Sequence, residues 1–317
     1  LDNCTMVACA DIVEENARAF ADTYDIPGVY LDYREMLANE KLDIVSVCTW
    51  MHLHEPMVLD AINAGVKAIH CEKPMADTWG GSKRMAAAAK EKGVQLTFNH
   101  QRRFLPAFRK ARELGNDGTI GNLVRLAGSC DNMIDWGPPW NDMMFSFNNA
   151  SPAVWELGQV DARQWHEVFG LPYEHQAVCE LKFENGVRGV LFTGEDRDIG
   201  CSMRLIGTEG TVELREGEAP LWVRGKGDGK WKQPKLAGHL HGGDAVGDAI
   251  VNMIECLGSG NEPELFARKA LQATQVIFAT YESSRRRGRV DLPLKAKDSA
   301  YLSMIESGEC ETSRGIE

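Results

Sequence analysis

The sequence contains no apolar run near the roughly 20 residues that a membrane-spanning helix needs, so no membrane partner is expected. It is short of positive charge: 35 Lys and Arg stand against 46 Asp and Glu, a net charge of -11. That balance argues against a surface built to hold phosphates, and no nucleic-acid partner is expected. None of the nine cysteines forms a C-x-x-C pair, which removes the zinc ribbon and the dithiol redox motif. Cys9, Cys48, Cys71 and Cys179 sit in apolar, strand-like runs, as buried free thiols of a reducing compartment do, and the cytoplasm is the expected location. The chain opens on Leu1 rather than methionine, with no signal-peptide pattern. Its first apolar segment begins at once, as in a fragment.

What is present reads as a soluble globular protein of 317 residues, a length that suits two domains. Apolar runs at Thr5 to Ala10, Ile44 to Cys48, Val66 to Cys71 and Val94 to Phe98 alternate with helical patterns. Ala17, Phe20, Ala21 and Tyr24 mark one helix face. Met57, Val58, Ala61 and Ile62 mark another, with Pro56 expected in its first turn. This alternation predicts a parallel sheet covered on both faces. Beyond Gly121 the pattern changes to closely spaced strands. They include a hairpin turned at Asn185-Gly186 and a pair around "GTEG". Two long helices follow, near Asp244 to Leu257 and Phe266 to Arg286. The expected architecture is an α/β Rossmann-like parallel-sheet domain over residues 1–121 and an α+β domain with an open, mostly antiparallel sheet over 122–317. The arginine run Arg285-Arg286-Arg287 reads as a solvated helix end.

Several motifs carry more than fold. "VACAD" ends at Asp11, "CTWMHLHEP" spans Cys48 to Pro56, and "HCEKPMA" follows the third strand. Further on come "RRFLPAF" (Arg102 to Phe108), "GTIGNL", "LIGTEGTVEL" and "ESSRRRGRVDLPL". In this order they resemble the glucose–fructose oxidoreductase / inositol dehydrogenase (Gfo/Idh/MocA) family over nearly the whole chain. The resemblance implies a nicotinamide dinucleotide on the first domain. It also implies a sugar, cyclitol or related polyol as substrate, and a homo-oligomer formed through the second domain's sheet. It places Lys73 at the carboxyl edge of a parallel strand, where ligands bind in open α/β sheets. There a cation would contact the nicotinamide ribose and steady an alkoxide as hydride leaves. Glu72 would fix the turn and the ribose, and Pro74 would stiffen the exit, where a cis bond is tolerated. Thr49 and the loop to His54 would line the cofactor. Asp11, followed by Ile12 rather than an arginine, would accept from both adenosine ribose hydroxyls and repel a 2′-phosphate, favouring NAD over NADP. As a residue on its own, Asp11 also reads as a helix N-cap.

Two departures qualify the resemblance. The family's G-x-G-x-x-G/A turn is missing, as though about 25 to 35 residues of a βαβ unit were absent ahead of Asp11. The family's acid–base motif, D-x-G-x-H-x-x-D, is matched by "DWGPPWND", Asp135 to Asp142, with Pro139 in the histidine's place. A secondary alcohol needs a base for its hydroxyl proton, and proline cannot serve. Asp135 and Asp142 join Lys73 as expected catalytic residues, with His100 and the His239/His241 loop as further substitutes for the base. Arg103, Trp136, Trp140 and His241 are the expected substrate contacts, the indoles by stacking on a sugar ring or, equally, as plain core. His52 and His54, spaced like ligands on a strand, lack a clear third partner. "HLHGGD" reads as a polar loop, and no metal site is expected. Four readings stay open: an NAD-dependent dehydrogenase, a redox-assisted NAD-dependent glycosidase, a non-catalytic dinucleotide or sugar sensor, and a structural partner subunit.

Overall fold

The computed structural model describes residues 3–242 and 244–310. The first part of the chain runs β1 (Ala8–Ala10), α1 (Glu14–Tyr24), β2 (Gly28–Tyr30), α2 (Tyr33–Asn39), β3 (Ile44–Val47), α3 (Met51–Asn63), β4 (Ala68–Cys71), α4 (Trp79–Lys92) and β5 (Gln95–Phe98). A 3-10 turn, Gln101–Phe104, leads to α5 (Pro106–Asn116). Then follow β6 (Leu123–Cys130), α6 (Gly137–Phe147), β7 (Ala153–Asp161), β8 (His166–Val168), β9 (Leu171–Tyr173), β10 (Gln176–Phe183) and β11 (Arg188–Thr193). The chain continues with β12 (Met203–Gly207), β13 (Thr211–Leu214), β14 (Leu221–Arg224), α7 (Ala245–Ser259), α8 (Ala267–Arg286), β15 (Val290–Asp291) and α9 (Ala300–Glu306).

The expected parallel sheet exists in two pieces. β1 pairs with β2, and β3, β4 and β5 form a separate three-stranded ladder, all parallel. β4 is buried at every position and has a neighbour on each side, which accounts for its largely apolar sequence, with the one polar residue, His70, bonded to Thr97. α3 begins at Met51, so Pro56 lies inside the helix rather than in its first turn, and His52 and His54 are helical rather than on a strand.

The second sheet has eight strands in the order β14-β13-β12-β6-β11-β10-β7-β15. All its pairings are antiparallel except β6 with β11. In the β10–β11 hairpin only Gly186 is left-handed (φ 94°), so the turn is bulged, not a two-residue turn with both centres at positive φ. α8 crosses β7 at Gly158, where an added Cβ would stand 2.8 Å from Thr280 Cγ2. The motif Glu282-Ser283-Ser284 serves this contact. The Ser283 and Ser284 hydroxyls accept from the Gly158 and Val160 amides, which lie on β7 beyond the short reach of β15. The arginine run is more than a solvated helix end: Arg285 and Arg286 both pair with buried Glu282, and Arg285 also reaches Asp298 at 2.7 Å.

The larger apolar core lies between this sheet and α5, α6 and α8; the smaller fills the three-stranded ladder and takes in Ala267 and Ala270 of α8. Buried Glu156 meets Thr280 in the larger core. The Thr280 hydroxyl shares its one proton between the Glu156 carboxyl and the Val276 carbonyl. Burial pushes the Glu156 pKa well up despite this hydrogen bond. A raised carboxyl costs stability as pH climbs past its unfolded value of about 4.3. Glu156→Gln is expected to raise Tm at pH 7.5 by roughly 2 °C or more. The gain should vanish toward pH 4, as followed by thermal melts across that range.

Candidate active site

The carboxyl ends of β3, β4 and β5 deliver Thr49, Glu72-Lys73 and Asn99 to one edge. Glu72 ties this edge together. Its Oε1 accepts from the Asn99 amide at 2.6 Å, and its Oε2 accepts from the Lys73 backbone N–H at 3.2 Å. The Lys73–Pro74 bond is cis. Lys73 then reaches the second domain: its Nζ donates to the Asp135 carboxylate and, at 3.0 Å, to the Asp135 carbonyl. Two expected catalytic residues, 62 positions apart, thus form one ion pair, with the lysine side chain 25% and the aspartate 12% exposed. Asp135 is held from below. Asn132 Oδ1 accepts from the Asp135 and Trp136 amides at 2.7 and 3.3 Å. Buried Glu174 accepts from the Met133 amide and from the Tyr281 hydroxyl, the latter at 2.9 Å. Burial raises the Glu174 carboxyl. Glu174 was missed in the sequence because an acid on a short turn between strands looks solvated.

The other expected residues divide. Asp11 is partly exposed at the end of β1, and its Oδ1 accepts from the Val13 amide at 2.8 Å ahead of α1. It is not the N-cap of α1, which is Val13 with no side-chain cap bond, so the helix-capping reading is not met; Oδ2 makes no hydrogen bond among the described residues. Thr49 is exposed. His54 is not placed to touch a cofactor. It is 1% exposed, with Nδ1 2.7 Å from the Pro74 carbonyl and Nε2 3.0 Å from that of Thr49, and burial lowers its pKa. It fixes the Thr49 loop against Pro74, itself buried.

Asp142 and Arg103 are corrected more strongly. Their side chains are 1% and 3% exposed. Arg103 grips Asp142 through Nε and Nη2 at 2.7 and 2.9 Å and reaches Glu264 through Nη1 at 2.9 Å. Burial alone would raise the Asp142 carboxyl, but Arg103 and then His100 outweigh it and hold it far below the ordinary carboxylate range. A proton acceptor so strongly disfavoured from protonation is no base, and a guanidinium so occupied binds no substrate. His100 lies 3.3 Å from Asp142 and is buried with it, so it is withdrawn from the cleft as well. Pro139 is buried in the first turn of α6.

Arg102, not Arg103, joins the aromatic group. Its guanidinium lies 4.3 Å from the Trp140 ring centre and 5.7 Å from that of Trp136. Its Nη2 donates to His241 Nδ1 at 2.9 Å, and His241 Nε2 donates to Glu216 at 2.9 Å. His241 stacks on Trp140 with ring centres 6.0 Å apart. The Trp140 indole N–H is satisfied by the Ser202 carbonyl at 3.1 Å. Trp155 lies elsewhere, on β7, facing Arg188 and Arg289. His239 is exposed and lies 3.5 Å from the Gly217 carbonyl.

The site therefore belongs to an α/β protein with parallel and mostly antiparallel sheets, and has a cation–carboxylate pair at a strand-end edge. Glu72, Lys73, exposed Thr49 and the unpartnered, buried Asn99 Oδ1 fit the nicotinamide and ribose end of a dinucleotide. A glycine-rich phosphate turn is absent from the described residues. Residues 1–100 match the model of the GFO_IDH_MocA family, an oxidoreductase family with an NAD-binding Rossmann fold. The D-apiose dehydrogenase of Paraburkholderia graminis is 26% identical, over 97% of this chain and 88% of that protein. A crystal structure of an NAD-binding oxidoreductase from Klebsiella pneumoniae superposes with a TM-score of 0.78 at 20% identity, covering 91% of this chain and 90% of that one. Levoglucosan dehydrogenase in complex with NADH and levoglucosan gives 0.76 at 19%, covering 92% and 90%. These two share the fold. Over residues 1–100 the chain is thus similar to the Gfo/Idh/MocA oxidoreductases.

The Arg103–Asp142 pair is expected to be structural. Asp142 is depressed in the folded state, so its contribution is complete above the unfolded pKa of about 4 and is lost as pH falls below it. Asp142→Asn should cost about 3 kcal/mol at pH 7, the scale for breaking a buried pair. Urea unfolding checks this; a loss under about 1 kcal/mol would return Asp142 to the list of catalytic candidates.

Proposed function

We propose that this protein is an NAD-dependent oxidoreductase that moves a hydride between the nicotinamide and a sugar, cyclitol or related polyol. The observation that carries the reading is the Lys73–Asp135 pair at the edge where β4 ends. Bound NAD would supply the hydride acceptor. The chain's own residues supply the rest. The Lys73 ammonium holds the reacting oxygen and stabilises the negative charge that grows on it. The Asp135 carboxylate lies against that ammonium and takes the hydroxyl proton, the task that buried Pro139 cannot perform. Asn132 and Glu174 keep the Asp135 turn rigid, so little reorganisation accompanies the transfer. Asp11, with a carboxylate oxygen still open and Ile12 beside it, favours a free ribose over a 2′-phosphate. The names of relatives, D-apiose dehydrogenase and levoglucosan dehydrogenase, support the substrate class.

The same reading extends to the assembly. On the exposed face of β7, β10 and β11, Leu157 (48% exposed), Val178 (39%), Val190 and Phe192 are interleaved with Glu180 and Gln159. A sheet face of this mixed kind suits a homo-oligomer. No helix among the described residues is long and apolar enough to cross a membrane. The free cysteines suit a reducing compartment, the cytoplasm.

Two measurements test these readings. In a panel of sugars and polyols with NAD, followed by NADH absorbance, Lys73→Ala should lower kcat/KM by about 10²-fold, or roughly 2.7 kcal/mol. NADH affinity should change much less. A fully active Lys73→Ala would remove the lysine from the reaction. For the assembly, Leu157→Asp should halve or further reduce the mass measured by light scattering, without loss of secondary structure. An unchanged oligomer would place the interface on another surface.

A further inference from the structure

Arg102 and Arg103 are neighbours, and each residue is 6% exposed. Their surroundings differ sharply. Arg103 is met by two carboxylates, whereas Arg102 forms no ion pair among the described residues. Its Nε is shielded from solvent and has no acceptor, and its one hydrogen bond goes to His241. Because His241 accepts there with Nδ1, its proton sits on Nε2 and points at Glu216, so the imidazole brings no negative charge to the guanidinium. Two indole faces, with the nearby charges of Glu216 and Asp135, neither of them an ion-pair partner, supply partial compensation. Burial lowers the Arg102 pKa to about 10, consistent with a cation that lacks its counter-ion. A buried charge without a partner is costly, and proteins neutralise it or use it.

The position of this cation gives it a use. Trp136, whose ring it faces, directly follows Asp135, and the Asp135 charge is close enough to act on Arg102. Trp136 is half-buried and His241 is exposed, so the group has an open side. We propose that Arg102 is a carboxylate subsite, and that the substrate is a polyhydroxy acid whose anionic end sits on Arg102 while its reacting carbinol lies at Lys73 and Asp135. A carboxylate matches the planar guanidinium fork in a way that a hydroxyl does not. Trp136 and Trp140 then wall the cation, and the sugar's C–H face packs on the open Trp136 ring. This inference names the substrate class of the site proposed above and rests on that reading.

The test pairs acids with neutral counterparts of the same carbon skeleton: gluconate with glucitol, and glucuronate and galacturonate with glucose and galactose. Binding to the whole chain is read by titration calorimetry, without turnover. At least one acid is expected to bind about 10-fold or more tightly than its neutral partner, with affinity falling as salt rises. Arg102→Gln should abolish that preference while leaving weak neutral-sugar binding in place. If Arg102→Gln does not fold, Arg102→Lys carries the test, because it keeps the charge but loses the fork; reduced acid affinity supports the subsite and unchanged affinity overturns it. Equal binding of acids and neutral sugars, or an acid preference that survives Arg102→Gln, also overturns the proposal. The two readings separate cleanly. Acid binding through Arg102 without NADH formation keeps the subsite and removes the oxidoreductase. NADH formation from neutral polyols alone, with no acid binding, does the reverse.

Discussion

The contact on which the site depends is the ion pair between Lys73 and Asp135. Each partner belongs to a different sheet: Lys73 stands just beyond β4, and Asp135 on the turn between β6 and α6. A strand buried at every position gives Lys73 little freedom at its base, and Glu72 accepts from its amide. Asp135 is fixed through Asn132 and Glu174. The two candidate reacting groups are therefore anchored to two buried cores. Charge management in the surrounding polar layer follows from this. Arg103 and Lys269 together balance Asp142 and Glu264 between the 3-10 turn, α6 and α8. Arg102, one residue earlier, points into an aromatic group and has no ion pair among the described residues.

The sequence made the strand-end chemistry legible. "HCEKPMA" placed Lys73 at an edge because a buried β4 must end where its apolar run ends, and the resemblance supplied the role. Asp135 was legible through "DWGPPWND", but its partner was not, since a contact across 62 positions leaves no local trace. The choice between Arg102 and Arg103 could not be read. On a 3-10 turn adjacent side chains diverge by about a third of a revolution, and only tertiary packing decides which meets Asp142. His54 misled for a similar reason. Its position in a motif said nothing of the two carbonyls that enclose it. The parallel sheet was read as one body because each strand carries its own signal. The lack of pairing between β1 and β3 is a property of what lies between strands.

Glu156 and Glu174 illustrate a further limit. Acids in sequence read as surface, yet both are fully enclosed, and both are met by hydroxyls on α8, from Thr280 and Tyr281. Their burial is intelligible only once α8 lies across β7, which Gly158 permits. The same helix joins the two cores, since its first turns pack against the three-stranded ladder and its later turns against the larger sheet. The geometry of the Lys73–Asp135 pair is thus supported at a distance by residues that carry no chemistry of their own.

The most direct test of the account is a crystal structure of the protein with NADH and a substrate that turns over. The account predicts that the reacting oxygen lies within hydrogen-bond distance, about 2.6 to 3.2 Å, of both Lys73 Nζ and an Asp135 carboxylate oxygen. A productive complex whose reacting oxygen is held by other side chains, with the Lys73–Asp135 pair closed and out of reach, would contradict it.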